Sequence, residues 1–350
     1  MSDAAGGGRG FVNPPQIVSE AQFIRKVSLV ILKQGGAPDD YDNRVTTVLP
    51  EPLDLSNMHF QFSVKNWDEE GPTNCVIRIF NLKPTTVQEI IKFNYSQVVL
   101  QAGYNSSFGV IFKGDIKQFR VGKLDQRDTY LDILAADGDI MYNFAVANAT
   151  LSKEQNNATG KKKVINDTAS KYGVTVAAGD DLNDSGGIVE GLRGKVLFGM
   201  LRTHISDLAD TLGATWSIQN GKIVITPLTG VLPGTPIVLN SATGLIGIPE
   251  STQSGIIAKC LISPRINIGS AVKIDNASIN QTLGQDNIPG LQVPFNQWIG
   301  SQNFASVAAD GMYRVYGCEH EGDTRGTTWY STLTCLTIDG SSKNVKPYGL

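Results

Sequence analysis

The chain has 350 residues, 41% of them apolar and 18% charged; at about 150 residues per domain this suggests two or three domains, and a charge content below the roughly 25% of soluble domains argues against disorder. Thirty Lys and Arg against thirty-three Asp and Glu leave a net charge of −3, which excludes a globally basic nucleic-acid binder. Without a run of about 18 apolar residues, and without a basic-then-apolar order in Met1–Gly10, the sequence predicts no membrane segment and synthesis in a cytoplasm.

Residues 1–20, with Gly6-Gly7-Gly8 and Asn13-Pro14-Pro15, show no period and read as a flexible arm. From Ala21 short apolar runs alternate with turn chemistry: Phe23–Leu32, Phe60–Val64, Cys75–Phe80, Gln97–Ala102, Val110–Phe119 and Tyr130–Ala135. Their period of two predicts half-buried strands of a closed or sandwiched β unit over 21–150. Pro84-Thr85-Thr86 followed by Val87, Ile90 and Ile91 predicts a short helix plugging that unit.

The period changes in the middle, over 151–232. Val164, Ile165, Thr168, Ala169 and Tyr172 share a helical face that stops at Gly173, and the run Lys195–Leu212 reads as the longest helix of the chain. Asn220-Gly221 between Ala214–Ile218 and Lys222–Ile225 predicts a tight hairpin. After Pro233 strand text returns, at Ile237–Leu239, Ile256–Ile262, Ala271–Ile274, Met312–His320 and Thr328–Ile338. A long polar loop over 276–310, carrying Pro289, Pro294 and Trp298, interrupts this last unit, 233–350. Loops of that length are commonly functional or mobile. The fold class predicted is mainly β with a smaller α/β part: two β-barrels and a middle helix-containing module.

The two β stretches resemble each other. Cys75–Pro84 pairs with Ile256–Pro264, each an apolar strand closed by a proline; Gln97–Gln101 pairs with Ser270–Ile274; Gly114–Gly138 pairs with Gly311–Gly340, each a strand, a charged turn, a long strand and a final Asp-Gly. A duplicated unit lets three chains present six similar modules in a ring.

Catalytic signatures are missing. His59, His204 and His320 are the only histidines, none in an HExxH pattern, and neither GxSxG nor GxxxxGK[ST] occurs. Cys318 and His320 fall on one strand face, too few ligands for a metal, and Cys75, Cys260, Cys318 and Cys335, without a CxxC pair, read as buried reduced thiols. Asp181–Leu192 imitates a calcium loop but ends in Leu192 where a bidentate Glu belongs. Glu69-Glu70 and Asp39-Asp40 read as surface charge in turns. Neither an enzyme nor a cofactor or metal site is expected.

Several segments together resemble a known family. Phe80-Asn81-Leu82 before a short helix, Val98–Tyr104 and Ile111–Ile116 are similar to the first tube-type barrel of the central baseplate hub proteins of contractile-tailed bacteriophages, which are related to the hub portion of type VI secretion spikes. Gly194–Gly199, Trp216–Ile218 and Gly221–Ile223 resemble the family's middle module; Pro249-Glu250, Cys260–Pro264, Ile268-Gly269, Gly311–Val315, His320–Asp323 and Trp329 resemble its second tube-type barrel. The resemblance implies a homotrimer with a pseudo-sixfold ring in the virion tail, joining the tail tube proteins to a spike protein beside other baseplate proteins, and passing phage DNA without binding it specifically. The candidate partner contacts are Asn81, Leu82, Pro84, Pro264, Pro289, Pro294 and Trp298. A receptor- or carbohydrate-binding tail module, with Trp298 as its exposed aromatic, is the alternative, and a cell-wall hydrolase a more distant one.

Overall fold

The computed structural model describes residues 24–32, 52–92, 95–105, 107–177, 193–228, 230–252, 255–275, 280–281 and 311–338. The expected N-terminal arm, the calcium-like loop at 181–192, Pro289, Pro294 and Trp298 lie outside them. The fold is mainly β with a smaller helix-containing part, as the sequence predicts.

The first β unit contains β1 (Arg25–Leu32), β2 (Leu53–Asp54), β3 (Phe60–Trp67), β4 (Asn74–Phe80), α1 (Pro84–Lys92), β5 (Gln97–Tyr104), β6 (Ser107–Lys123) and β7 (Thr129–Ala136). Alternation sets its faces: Phe60, Phe62 and Val64 point into the core while Gln61, Ser63 and Lys65 point out. Ile90 of α1 is buried beneath the sheet with Val87 packed beside it, and Ile91 is exposed.

The middle part comprises α2 (Asp139–Phe144), β8 (Val146–Leu151), α3 (Ala158–Ala169), β9 (Thr175–Val176), β10 (Lys195–Met200), α4 (Leu201–Thr211), β11 (Ala214–Gln219) and β12 (Lys222–Pro227). α3 and a following 3₁₀ turn end at Gly173, which adopts φ 75°. Asn220 and Gly221, at φ 53° and 76°, make the predicted hairpin turn between β11 and β12. The expected helix from Lys195 is corrected: Lys195–Met200 is a strand antiparallel to β8, and the helix begins only at Leu201. Val196, Leu197 and Met200 fit a helical period only because a real helix follows. Their actual pattern is two-sided, with Leu197 buried and Val196 and Phe198 exposed. α3, with 12 residues against 11, is therefore longer than α4. Met141, Ala145 and Ala147 fall within the stretch expected in the first β unit, yet they pack in the middle core with Trp216, Ile205 and Leu208.

The second β unit contains β13 (Ile237–Leu239), β14 (Leu245–Thr252), β15 (Gly255–Cys260), β16 (Ala271–Ile274), β17 (Asn280–Gln281), β18 (Met312–Asp323) and β19 (Trp329–Thr337). Its core holds Cys260, Cys318 and Cys335 as buried thiols, and Cys75 is buried in the first core.

Fourteen strands form one sheet that curls into a half-barrel, and the order β3-β4-β7-β6-β5-β1 of its first unit recurs as β14-β15-β19-β18-β16-β13 in its second. The repetition reaches single residues. β6 and β7 slip register between Ile116 and Gln118; β18 and β19 slip between Val315 and Gly317. Ile116 N donates to Ser96 O and Val315 N donates to Ser270 O. Arg78 lies over the Tyr130 ring at 4.4 Å, and Lys259 lies over the Tyr330 ring at 4.3 Å. These pairs set Cys75 against Ile256 as the sequence suggests, but shift the second match by one residue, so that Gln97 corresponds to Ala271. The outermost strands differ: β1 runs antiparallel to β5, whereas β13 runs parallel to β16.

The units meet where β3 pairs antiparallel with β18, Lys65 opposite Glu319 and Val64 opposite His320. A buried ion pair pins this seam. Arg314 Nη2 holds Asp68 Oδ2, Arg314 Nη1 donates to Pro227 O at 2.8 Å and Leu228 O at 3.0 Å, and Thr215 Oγ1 donates to Asp68 Oδ2 at 2.9 Å. All three parts are thus tied at one point. Burial pushes the Asp68 carboxyl up, against the pull of Arg314.

Candidate functional site

The core occupies one face of the sheet and leaves the other to solvent, so the outward positions can be followed from strand to strand across the registers. Gln118 and Arg120 on β6 lie beside Leu134 and Asp132 on β7; Val76 and Arg78 on β4 follow, then Gln61, Ser63 and Lys65 on β3. Across the seam come Glu319, Glu321 and Asp323 on β18, Tyr330 and Thr332 on β19, Ile257 and Lys259 on β15, and Glu250 on β14. Arg120, Arg78, Lys65 and Lys259 therefore share one face with Asp132, Glu319, Glu321, Asp323 and Glu250, close to charge balance with a small acidic excess.

Many of these charges are already paired. Arg78 Nε and Nη2 grip Asp132 at 2.7 and 2.9 Å, and Lys65 Nζ stands 3.7 Å from Glu319. A shallow depression of about 400 Å³ opens over the seam between Val76, Arg78, Glu321 and Tyr330. Among the described residues no cluster of three or more His, Cys, Asp or Glu side chains could hold a metal. Cys318 and His320 do share a face, with Sγ 3.4 Å from Nε2, but His320 Nδ1 is taken by Ser331 Oγ at 2.7 Å, and burial pushes the imidazole down to about 4. The arrangement is a packed neutral histidine.

The tips of the two long hairpins are built alike and held differently. Asp125 Oδ1 accepts from Arg127 N and Asp128 N; Asp323 Oδ1 accepts from Arg325 N and Gly326 N. The first unit grips the Asp323 turn: Gln61 Nε2 donates to Asp323 Oδ2 at 2.8 Å, His59 Nε2 lies 3.0 Å from Oδ1, Phe60 N donates to Thr324 Oγ1, and Arg25 reaches Gly326 O at 2.9 Å. Burial would raise the Asp323 carboxyl, but these hydrogen bonds together hold it at about 2. Among the described residues the Asp125 turn is bound by its own unit alone, through Asn81 Nδ2 to Asp128 Oδ1 at 2.8 Å.

The expected partner contacts are dispersed. Asn81, at φ 56°, shapes the turn before α1; Leu82 is buried in the first core; Pro84 is exposed at the start of α1. Pro264 packs on Gly109 of β6, between the units. The seam, Asp68–Arg314 and the duplicated cation–π pairs escaped the sequence reading. Only the common turn chemistry of Asp125 and Asp323 could have pointed to the two hairpins.

The family described as baseplate hub gp41 matches residues 74–289. No curated protein matches the chain. Among solved structures, the 43 kDa tail protein of prophage MuSo2 from Shewanella oneidensis aligns at TM-score 0.52 and 9% identity over 90% of this chain and 99% of its own. A tail protein from Neisseria meningitidis MC58 aligns at 0.49 and 9% over 90% and 97%. The E. coli c3393 protein, a type VI secretion component similar to T4 tail proteins gp27 and gp5, aligns at 0.47 and 10% over 84% and 75%. With its matched segment covering more than half of its length, the chain belongs to the baseplate hub gp41 family, a structural component of the phage tail.

Proposed function

We propose that three copies of this chain close into a ring of pseudo-sixfold symmetry that joins the sixfold tail tube to a threefold spike, within a contractile-tail baseplate assembled in the host cytoplasm. The observation that carries this reading is the repeated strand order, with the same bulge and the same cation–π pair in each unit. One unit repeated twice in a chain and three times around an axis meets a hexamer and a trimer alike.

The role is mechanical, without catalysis. Buried seams such as β3–β18 resist the load of contraction, and the outward sheet face lines the channel. Its near balance of charge, with most guanidinium and ammonium groups engaged by carboxylates or rings, supports a bore along which phosphates slide without release of many counterions. Partners are the tail tube proteins, the spike protein and neighbouring baseplate proteins.

Light scattering on the purified chain, alone and mixed with the spike protein of the same particle, tests the reading. A mass of three chains, in either case, is expected. Masses of one, two or six chains in both cases would contradict it.

A further inference from the structure

Asn220-Gly221 is the only Asn-Gly pair in the chain, and such a pair carries its own chemistry. The glycine amide nitrogen loses its proton to hydroxide and attacks the asparagine side-chain carbonyl carbon. A bond forms between Gly221 N and Asn220 Cγ, the side-chain nitrogen leaves as ammonia, and water then opens the cyclic imide to aspartate or isoaspartate. A following glycine favours the attack because it has no Cβ in the way. Asn220 stands exposed to the water this needs, at the tip of the β11–β12 hairpin.

The first unit grips the attacking nitrogen. Gly221 N donates to Asp137 Oδ1 and Oδ2, each at 3.0 Å, and Gly221 O accepts from Thr175 N at 3.1 Å, so the residue is held on both sides. Asp137 itself is 2% exposed. Burial pushes its carboxyl up to about 7, against the pull of the Gly221 and Asn220 amides. A buried carboxylate must be hydrogen-bonded, and this turn supplies the N–H groups. The cleft that Asn66, Thr73, Asp137 and Asn220 line has about 10 Å³ of free space, about one water.

We propose that Asn220 is a site of spontaneous deamidation and that Asp137 guards it by holding the Gly221 amide proton. A negative charge beside the amide disfavours the anion that must form there, and the nitrogen has to leave its acceptor before it attacks. What is guarded is a joint between all three parts. Thr73 Oγ1 of the first unit donates to Ile218 O at 2.9 Å, and Gln219 Oε1 accepts from Ile268 N of the second unit at 3.0 Å. Isoaspartate at 220 would add a backbone carbon to a two-residue turn between the paired Gln219 and Lys222, which has no slack for it. Gly221 would then leave Asp137 and strand a buried carboxylate. A tail component is not renewed once the particle is built, so the lifetime of this turn bears on that of the particle.

Ageing of the full chain near neutral pH, followed by peptide mapping with mass spectrometry and an isoaspartyl methyltransferase assay, tests the guard. Asp137→Ala should convert Asn220 at least about tenfold faster than the parent, the worth of one hydrogen bond to a charged acceptor. Asp137→Asn, which keeps a carbonyl acceptor without the charge, should fall between them. Thr73→Ala, which frees the same hairpin at Ile218 and leaves Gly221 held, should age like the parent. Parental ageing in Asp137→Ala, or an equal gain in Thr73→Ala, overturns the guard. The pH profile separates charge from rigidity. Lys113 and Asp115 of β6 act on Asp137, and His320 of β18, neutral over this range, lines the same cleft. Between about pH 6 and 8 the rate should climb less steeply in the parent than in Asp137→Ala, because Asp137 ionises there; parallel climbs overturn the role of the charge. Hydrogen exchange in the parent reads the same loss of the amide proton without any substitution. Gly221 should exchange at least about tenfold slower than in a free peptide of residues 217–224, and exchange at the peptide's rate overturns the guard.

Discussion

The upper halves of β6 and β18 descend from one pattern and live in opposite environments. Each follows a bulge, each ends in an aspartate-closed turn, and each has a long partner strand with a tyrosine under a cation. On β18, Trp67 and Phe62 of β3 lie against Gly317 and Gly322, and Cys318 and His320 are sealed in. On β6 the same places carry Gln118, Lys123, Phe119 and Val121, a mixture of charge and apolar surface. The difference teaches that one strand pattern can serve as a buried seam or as an exposed edge, and that its residues follow the neighbour: glycines, a thiol and an imidazole under β3, charge mixed with apolar side chains where no described strand lies alongside.

The largest expected effect comes from breaking the covered half. Arg314→Met removes the guanidinium that holds Asp68 and strands a buried carboxylate, so urea unfolding should show a loss of about 3–5 kcal/mol. A midpoint unchanged from the parent would mean that the seam is not pinned there.

Acid should act next on the same half. His320 is neutral and buried, with its pKa lowered to about 4; an unfolded histidine titrates near 6.5. Stability is therefore complete above about 6.5 and is lost as pH falls toward 4, by up to about 3 kcal/mol. His320→Val, which copies Val121, should flatten the stability profile between pH 6.5 and 4 even if it lowers stability at neutral pH by leaving Ser331 Oγ without its partner. A profile as steep as the parent's would assign the acid response elsewhere.

The smallest effect separates the turns. The Asp323 carboxyl, held at about 2 against an ordinary 3.8, supplies on the order of 2 kcal/mol above pH 4, lost as pH falls through 2. Asp125 is also lowered, by the amides of Asp128 and Arg127, but it is fully exposed. Asp323→Ala should thus lower the denaturation midpoint clearly more than Asp125→Ala. Equal losses would remove the claim that only the Asp323 turn is gripped by the other unit.

Much of the strand text was legible because alternation and turn residues act locally. Asn220-Gly221 could adopt its positive φ values whatever surrounded it, and Cys75–Phe80 and Ile256–Cys260 alternate in the same sense. The strand at Lys195–Met200 was hidden because its apolar residues run directly into those of α4, and only pairing with β8 decides between the two periods. The seam was hidden for another reason: β3 and β18 stand about 250 residues apart, and neither Asp68 nor Arg314 signals its partner in the sequence. Among the candidate partner contacts, Asn81 accepts from Thr129 N in a turn and Leu82 lies in the first core, and the exposure of the β6 edge becomes visible only beside its covered counterpart on β18.

Electron cryomicroscopy of the assembled baseplate addresses the central claim most directly. The account predicts three copies around the axis, with the two β units of each chain in equivalent places so that six similar units ring the channel. Six copies, or a ring in which the two β units of a chain occupy unlike places, would contradict it.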